Sequence, residues 1–157
     1  MTIRIAWGTG AGPTEMAAYD AALADANLHN YNLVSVSSVI PADADVEVVG
    51  TAPDLGSAGN RLTVVQAHAN AAGPGQVSAG LAWDESEGGP GLFYEAAGET
   101  DPETVAERVQ AGLAAGRELR DWTFTGETTR TVSTDAAAGE YAAAVVVATY
   151  GRSEPIH

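Results

Sequence analysis

The chain has 157 residues and a formal charge of −14, with 21 acidic residues against 7 basic ones. All the basic residues are Arg, and Lys and Cys are both absent; this excludes thiolate nucleophiles, disulfides, cysteine metal sites, a lysine-bound pyridoxal phosphate and a P-loop lysine. So acidic a surface repels nucleic acid and anionic membranes, and neither is an expected partner.

This length suits one folded unit with its own core. Met1–Trp7 carries Arg4 within a short alternating run and does not read as a secretory signal, and the apolar run Ala142–Thr149 is too short to span a bilayer. A cytoplasmic protein is expected. Acidic runs at Asp43–Glu47 and Asp84–Glu87, together with the missing Lys, point to adaptation to concentrated salt and a halophilic source; an ordinary acidic cytosolic protein is the alternative. His29, His68 and His157 have neither the pairing nor the spacing of a zinc site, so no metal is expected.

In chain order, Thr2–Trp7 alternates as an opening strand and Gly8–Pro13 reads as a loop. Thr14 is placed to cap a helix running to about Asn27. A second strand is predicted over Asn32–Ile40, stopped by Pro41. Pro41–Asn60 reads as partly irregular, with a short strand near Val46–Val49. Further strands are predicted at Arg61–Ala69, Gln76–Trp83 and Gly91–Ala97. A second helix starts after Thr100 or Asp101, with Pro102 in its first turn, Glu103 able to form a capping box with Thr100, and Val105, Val109 and Leu113 at helical spacing. It should end near Leu119–Asp121 and be followed by strands at Trp122–Val132 and Glu140–Tyr150. Strands and helices in this order predict an α+β fold, a four-layer αββα sandwich with helices outside packed antiparallel sheets.

Gly8-Thr9-Gly10-Ala11-Gly12 between a strand and a helix imitates a dinucleotide-binding turn. Pro13 takes the place of its third glycine and no acid closes the second strand, so a turn feeding a helix is the better reading.

The pair Ser37 and Ser38 lies in a β-branched run and by itself reads as the polar face of a strand. The longer segment Asn32-Leu33-Val34-Ser35-Val36-Ser37-Ser38-Val39-Ile40-Pro41, however, is similar to the self-cleavage segment of the pyruvoyl-dependent arginine decarboxylases. The resemblance continues through Gly8–Thr14 with Tyr19-Asp20-Ala21-Ala22-Leu23, through Gly91-Leu92-Phe93-Tyr94-Glu95, and through Thr104–Glu107, Arg120-Asp121-Trp122 and Tyr141–Ala144. Asp43–Gly80 departs from the family pattern, being more acidic and richer in glycine.

What the resemblance implies is specific. Ser38 Oγ would attack the Ser37 carbonyl, turning amide into ester. Elimination and hydrolysis would then leave a pyruvoyl group at position 38, a covalent cofactor needing neither metal nor pyridoxal phosphate. The products would be Met1–Ser37 and Ser38–His157. A neutral serine is a poor nucleophile, so this step calls for a strained peptide and for donors on the Ser37 carbonyl. Asn32 is the implied helper, although an Asn opening a strand after a turn reads equally well. The implied reaction converts L-arginine to agmatine and carbon dioxide in a homotrimer with active sites between protomers. Another amino acid substrate, or a ligand-binding relative that never cleaves, stays open.

Two acids stand out beside the resemblance. Glu95 is the one charge between Gly88 and Gly98, and Phe93, Tyr94, Ala96 and Ala97 would keep water from it and favour its protonated form, as suits a proton donor; a solvent-facing strand glutamate is the alternative. Asp20 has Met16, Ala17, Leu23 and Ala24 as helical neighbours, so its carboxylate is either paired or turned out to solvent. The resemblance implies that it binds the substrate guanidinium, with an internal pair to Arg61 as the competitor.

Overall fold

The computed structural model describes residues 1–157. Its elements are β1 (Thr2–Gly12), α1 (Glu15–Asp25), β2 (Asn32–Ser35), β3 (Val39–Ile40), β4 (Asp45–Gly50), β5 (Arg61–Ala72), β6 (Gly75–Ser86), β7 (Gly91–Gly98), α2 (Pro102–Glu118), β8 (Phe124–Ala136) and β9 (Tyr141–Tyr150). One sheet has five strands in the order β2-β5-β9-β1-β4 and the other has four, β3-β7-β6-β8. Both edges of the larger sheet are parallel, β1 to β4 and β2 to β5. The expected α+β sandwich of mainly antiparallel sheets is thus present, with parallel pairing confined to the two edges of the larger sheet.

The four layers follow from residue alternation. Along β9, Ala143, Val145 and Val147 face α1, whereas Ala142, Ala144, Val146 and Ala148 face the other sheet. A strand covered on both faces has no use for polar residues, which is why Tyr141–Tyr150 reads as a continuous apolar run. Along β6, Val77, Ala79, Leu81 and Trp83 enter the layer between the sheets, and Ala82 joins Leu92, Val109 and Leu113 under α2. Phe93 is wholly buried in the middle layer, and burying a side chain of that size is worth roughly 1.5–3 kcal/mol.

Three differences from the sequence reading have local causes. The predicted loop at Gly8–Pro13 is strand as far as Gly12, paired with Tyr141–Val145. Glycines alternate there because α1 crosses that face, and a β-carbon at Gly8 or Gly10 would collide with the backbone at Ala21 and Ala22. Asp101 alone caps α2, accepting from Thr104 N at 2.7 Å, while the Thr100 carbonyl is taken by Ser78 Oγ. The predicted strand Asn32–Ile40 is two strands belonging to different sheets. Val36 N still bonds to Val64 O of the larger sheet and Ser38 O already accepts from Phe93 N of the smaller one. Ser37 is the crossing point.

Candidate active site

Because the chain changes sheets at Ser37, the Ser37–Ser38 peptide stands apart from both ladders. Ser37 is exposed and Ser38 half-buried. Ser38 is the middle residue of a three-residue turn closed by a bond from Val39 N to Ser37 O, 3.0 Å long. The donor called for on the Ser37 carbonyl is thus supplied by the backbone. Neither serine has a positive φ, so the expected strain does not take the form of left-handed backbone.

The partner of Ser38 comes from β7. Ser38 Oγ donates to Glu95 Oε2 at 3.2 Å. Register explains the meeting: β3 pairs Val39 with Leu92 and Ile40 with Gly91, which brings Ser38 opposite Phe93 and near Glu95. Beyond Phe93 the short β3 has ended, so β7 is an edge and Glu95 is exposed. Its sequence neighbours do not enclose it, contrary to expectation. Tyr94 and Ala96 turn to the α2 layer while Phe93 enters the layer between the sheets, as strand alternation requires.

Tyr150, at the end of β9, is a site residue without any sequence signal. Its hydroxyl donates to Val39 O at 2.8 Å, and its ring lies 6.2 Å from that of Phe93. Burial, followed by the nearby Glu95 charge, pushes the phenol up to about 12, so the hydroxyl stays a donor. Ser37, Ser38, Val39, the strand Leu92–Glu95 and Arg120 enclose a cavity of about 420 Å³. Arg120 is held by donating to Gly116 O at 2.9 Å and by its position over Trp122, 5.5 Å from the ring centroid. Just before it, Arg117 pins the end of α2 to the buried Asp84 at 3.0 Å.

Asn32 and Asp20 lie elsewhere in the chain. Asn32 donates to Gly59 O at 2.8 Å and does not touch Ser38. Asp20 is exposed on α1, beside a second cavity of about 530 Å³ whose wall includes Tyr19, Leu23, His29 and Tyr31. Arg61, its possible internal partner, instead pairs with Glu154 at 3.0 Å. No group of three or more His, Asp or Glu side chains gathers in a metal-binding arrangement.

The model of the pyruvoyl-dependent arginine decarboxylase family matches residues 2–155. Two Halobacterium salinarum strains have a pyruvoyl-dependent arginine decarboxylase 66% identical over 154 residues, covering 98% of this chain and 96% of theirs. A Methanopyrus kandleri protein of the same name is 34% identical over 143 residues, 91% of each chain, and one from Pyrococcus horikoshii is 37% identical over 113 residues, 71% of this chain and 70% of its own. The chain belongs to the pyruvoyl-dependent arginine decarboxylase family. A covalent pyruvoyl cofactor comes with that membership, and the residues here fit one. A serine stands on an unladdered peptide, its hydroxyl bonded to a carboxylate and its preceding carbonyl bonded to an N–H, at the wall of a cavity.

Proposed function

We propose that this chain cuts itself between Ser37 and Ser38, turns Ser38 into the pyruvoyl group, and then decarboxylates L-arginine to agmatine and carbon dioxide. The observation that carries the reading is the 3.2 Å bond from Ser38 Oγ to Glu95 at the point where the chain crosses between sheets. In this reading Glu95 takes the hydroxyl proton as Ser38 attacks and hands it on to the released nitrogen. Once formed, the pyruvoyl carbonyl supplies an acceptor for the substrate amine and for the electrons freed with carbon dioxide, the service pyridoxal provides in other enzymes. Glu95 then holds the proton that the substrate α-carbon requires.

Met1–Ser37 and Ser38–His157 remain one folded body in this reading. β1, on the shorter piece, lies hydrogen-bonded between β9 and β4 of the longer one. Asp20 binds the guanidinium and Asn32 assists at the carbonyl, both reaching the Ser38 cavity of a neighbouring protomer in a homotrimer with interfacial sites. In support, neither belongs to the Ser38 cavity of its own chain, and Glu95 stands exposed where a neighbour can cover it. The −14 charge suits a cytoplasm of concentrated salt.

The test is an intact-mass measurement on purified protein combined with carbon dioxide release from L-arginine. Two pieces meeting at Ser37 and Ser38, with a water gained and an ammonia lost, are expected, and turnover should follow their appearance. Ser38→Ala should remain one inactive chain. An active enzyme in which the wild-type chain stays whole would refute the reading.

A further inference from the structure

The edge position of β3 leaves both polar backbone groups of Val39 outside the ladder. In antiparallel pairs, bonded and unbonded positions alternate. The bond from Phe93 N to Ser38 O makes Ser38 and Phe93 a bonded pair, so Val39, opposite Leu92, is unbonded and turns its N–H and C=O away from β7. Each has found a partner: the N–H donates to Ser37 O at 3.0 Å and the C=O accepts from Tyr150 Oη at 2.8 Å. One residue is thereby held from behind by a half-buried phenol while presenting its amide to the peptide that must break.

We propose that the Val39 backbone N–H is the oxyanion donor for self-cleavage and that Tyr150 is the positioning residue that aims it. As Ser38 Oγ bonds to the Ser37 carbonyl carbon, the carbonyl electron pair moves onto Ser37 O and the hydroxyl proton passes to Glu95. Collapse returns that pair, breaks the bond from Ser37 C to Ser38 N, and delivers the same proton to the nitrogen. Ester and free amine result, with no proton unaccounted for. The bent bond of a three-residue turn is poor while the carbonyl is neutral and gains strength as charge builds on the oxygen. Stabilisation that grows only towards the transition state is the kind that raises rate. Tyr150 keeps its proton across the working pH range, because burial and the Glu95 charge raise its phenol, so its hold on Val39 does not lapse.

This inference rests on the proposed cleavage between Ser37 and Ser38, and its test separates the two. Chains made by cell-free synthesis are followed for splitting against time, with Val39 replaced by its α-hydroxy acid analogue so that an ester oxygen stands where the N–H was. The analogue should split about a hundredfold more slowly or worse, the usual worth of one oxyanion donor. Tyr150→Phe should slow splitting about threefold to tenfold, and should add nothing in the chain that already lacks the Val39 N–H, a non-additivity that a merely structural role would not produce. A wild-type chain that never splits overturns both the cleavage reading and this inference. Wild-type splitting with the ester chain equally fast overturns the inference alone. If the ester chain fails to fold, Tyr150→Phe splitting at the wild-type rate overturns it.

Discussion

The Tyr150 phenol and the Glu95 carboxylate sit on opposite sides of the sandwich seam, one at the end of β9 and the other on β7, and the charge of Glu95 adds to burial in raising the phenol to about 12. In a spectrophotometric titration, Tyr150 should therefore ionise well after an ordinary tyrosine. The late step should lose one phenol in Tyr150→Phe, leaving the contribution of Tyr19, which burial also raises, and the Tyr150 part should move down in pH in Glu95→Gln, where burial remains but the charge is gone. The raised value favours the protonated fold, so the contribution of Tyr150 to stability is complete below the ordinary phenol value of 10.0 and is lost as pH climbs from there through about 12. A late step of undiminished amplitude in Tyr150→Phe would assign it to other phenols.

Glu95→Gln keeps a hydrogen-bond acceptor for Ser38 Oγ but cannot carry its proton. Self-cleavage should slow, and the fraction that does mature should turn over arginine about two to four orders of magnitude more slowly, the usual worth of a general acid. Arginine should still bind. Near-normal turnover in matured Glu95→Gln would remove this carboxylate from the reaction.

Asp20 makes no hydrogen bond or salt bridge within its own chain while Arg61 is occupied by Glu154, so Asp20→Asn should fold, melt and self-cleave like the wild type. The loss should appear in kcat/KM for arginine, about tenfold to hundredfold for a charge-assisted pair worth roughly 1.5–3 kcal/mol. Preference for arginine over an uncharged analogue should narrow with it. Unchanged selectivity would show that the guanidinium is held elsewhere.

Arg117 and Asp84 supply a test of stability rather than chemistry. Asp84 is 2% exposed and accepts from both Arg117 and Gly126 N. Arg117→Ala removes one of these two partners and should cost roughly 1.5–3 kcal/mol in chemical denaturation, the usual worth of a hydrogen bond to a charged group. Arg117→Ala with an unaltered denaturation midpoint would contradict this. Loosening the end of α2 should also disturb Arg120 at the cavity wall, visible as a changed Trp122 fluorescence.

How much of this was legible beforehand differs from element to element. The Thr14 cap of α1, accepting from Ala17 N, and the Val105, Val109 and Leu113 stripe of α2 were readable because they obey spacing rules within a few residues of chain. Ser38 and Glu95 were readable as candidates because a serine pair in a family-like segment and a lone acid in an uncharged strand are both local patterns. The break at Ser37 was not legible. A β-branched run looks the same whether its two halves pair with one sheet or two, and only the pairing partners Val64 and Phe93 divide it. The alternate glycines of β1 misled for a similar reason, since a turn and a strand crossed closely by a helix both ask for a missing side chain. Tyr150 ends an unremarkable apolar strand far along the chain. Its bond to Val39 arises only because the two sheets, packed face to face, bring the ends of β9 and β3 together. Sequence by itself determined the layers, the existence of the two helices and the chemistry available to this chain, because these follow from periodicity and residue type. Tertiary structure decided which peptide is freed from both ladders and which N–H and phenol attend it, because those are relations between segments whose distance in space no local pattern encodes.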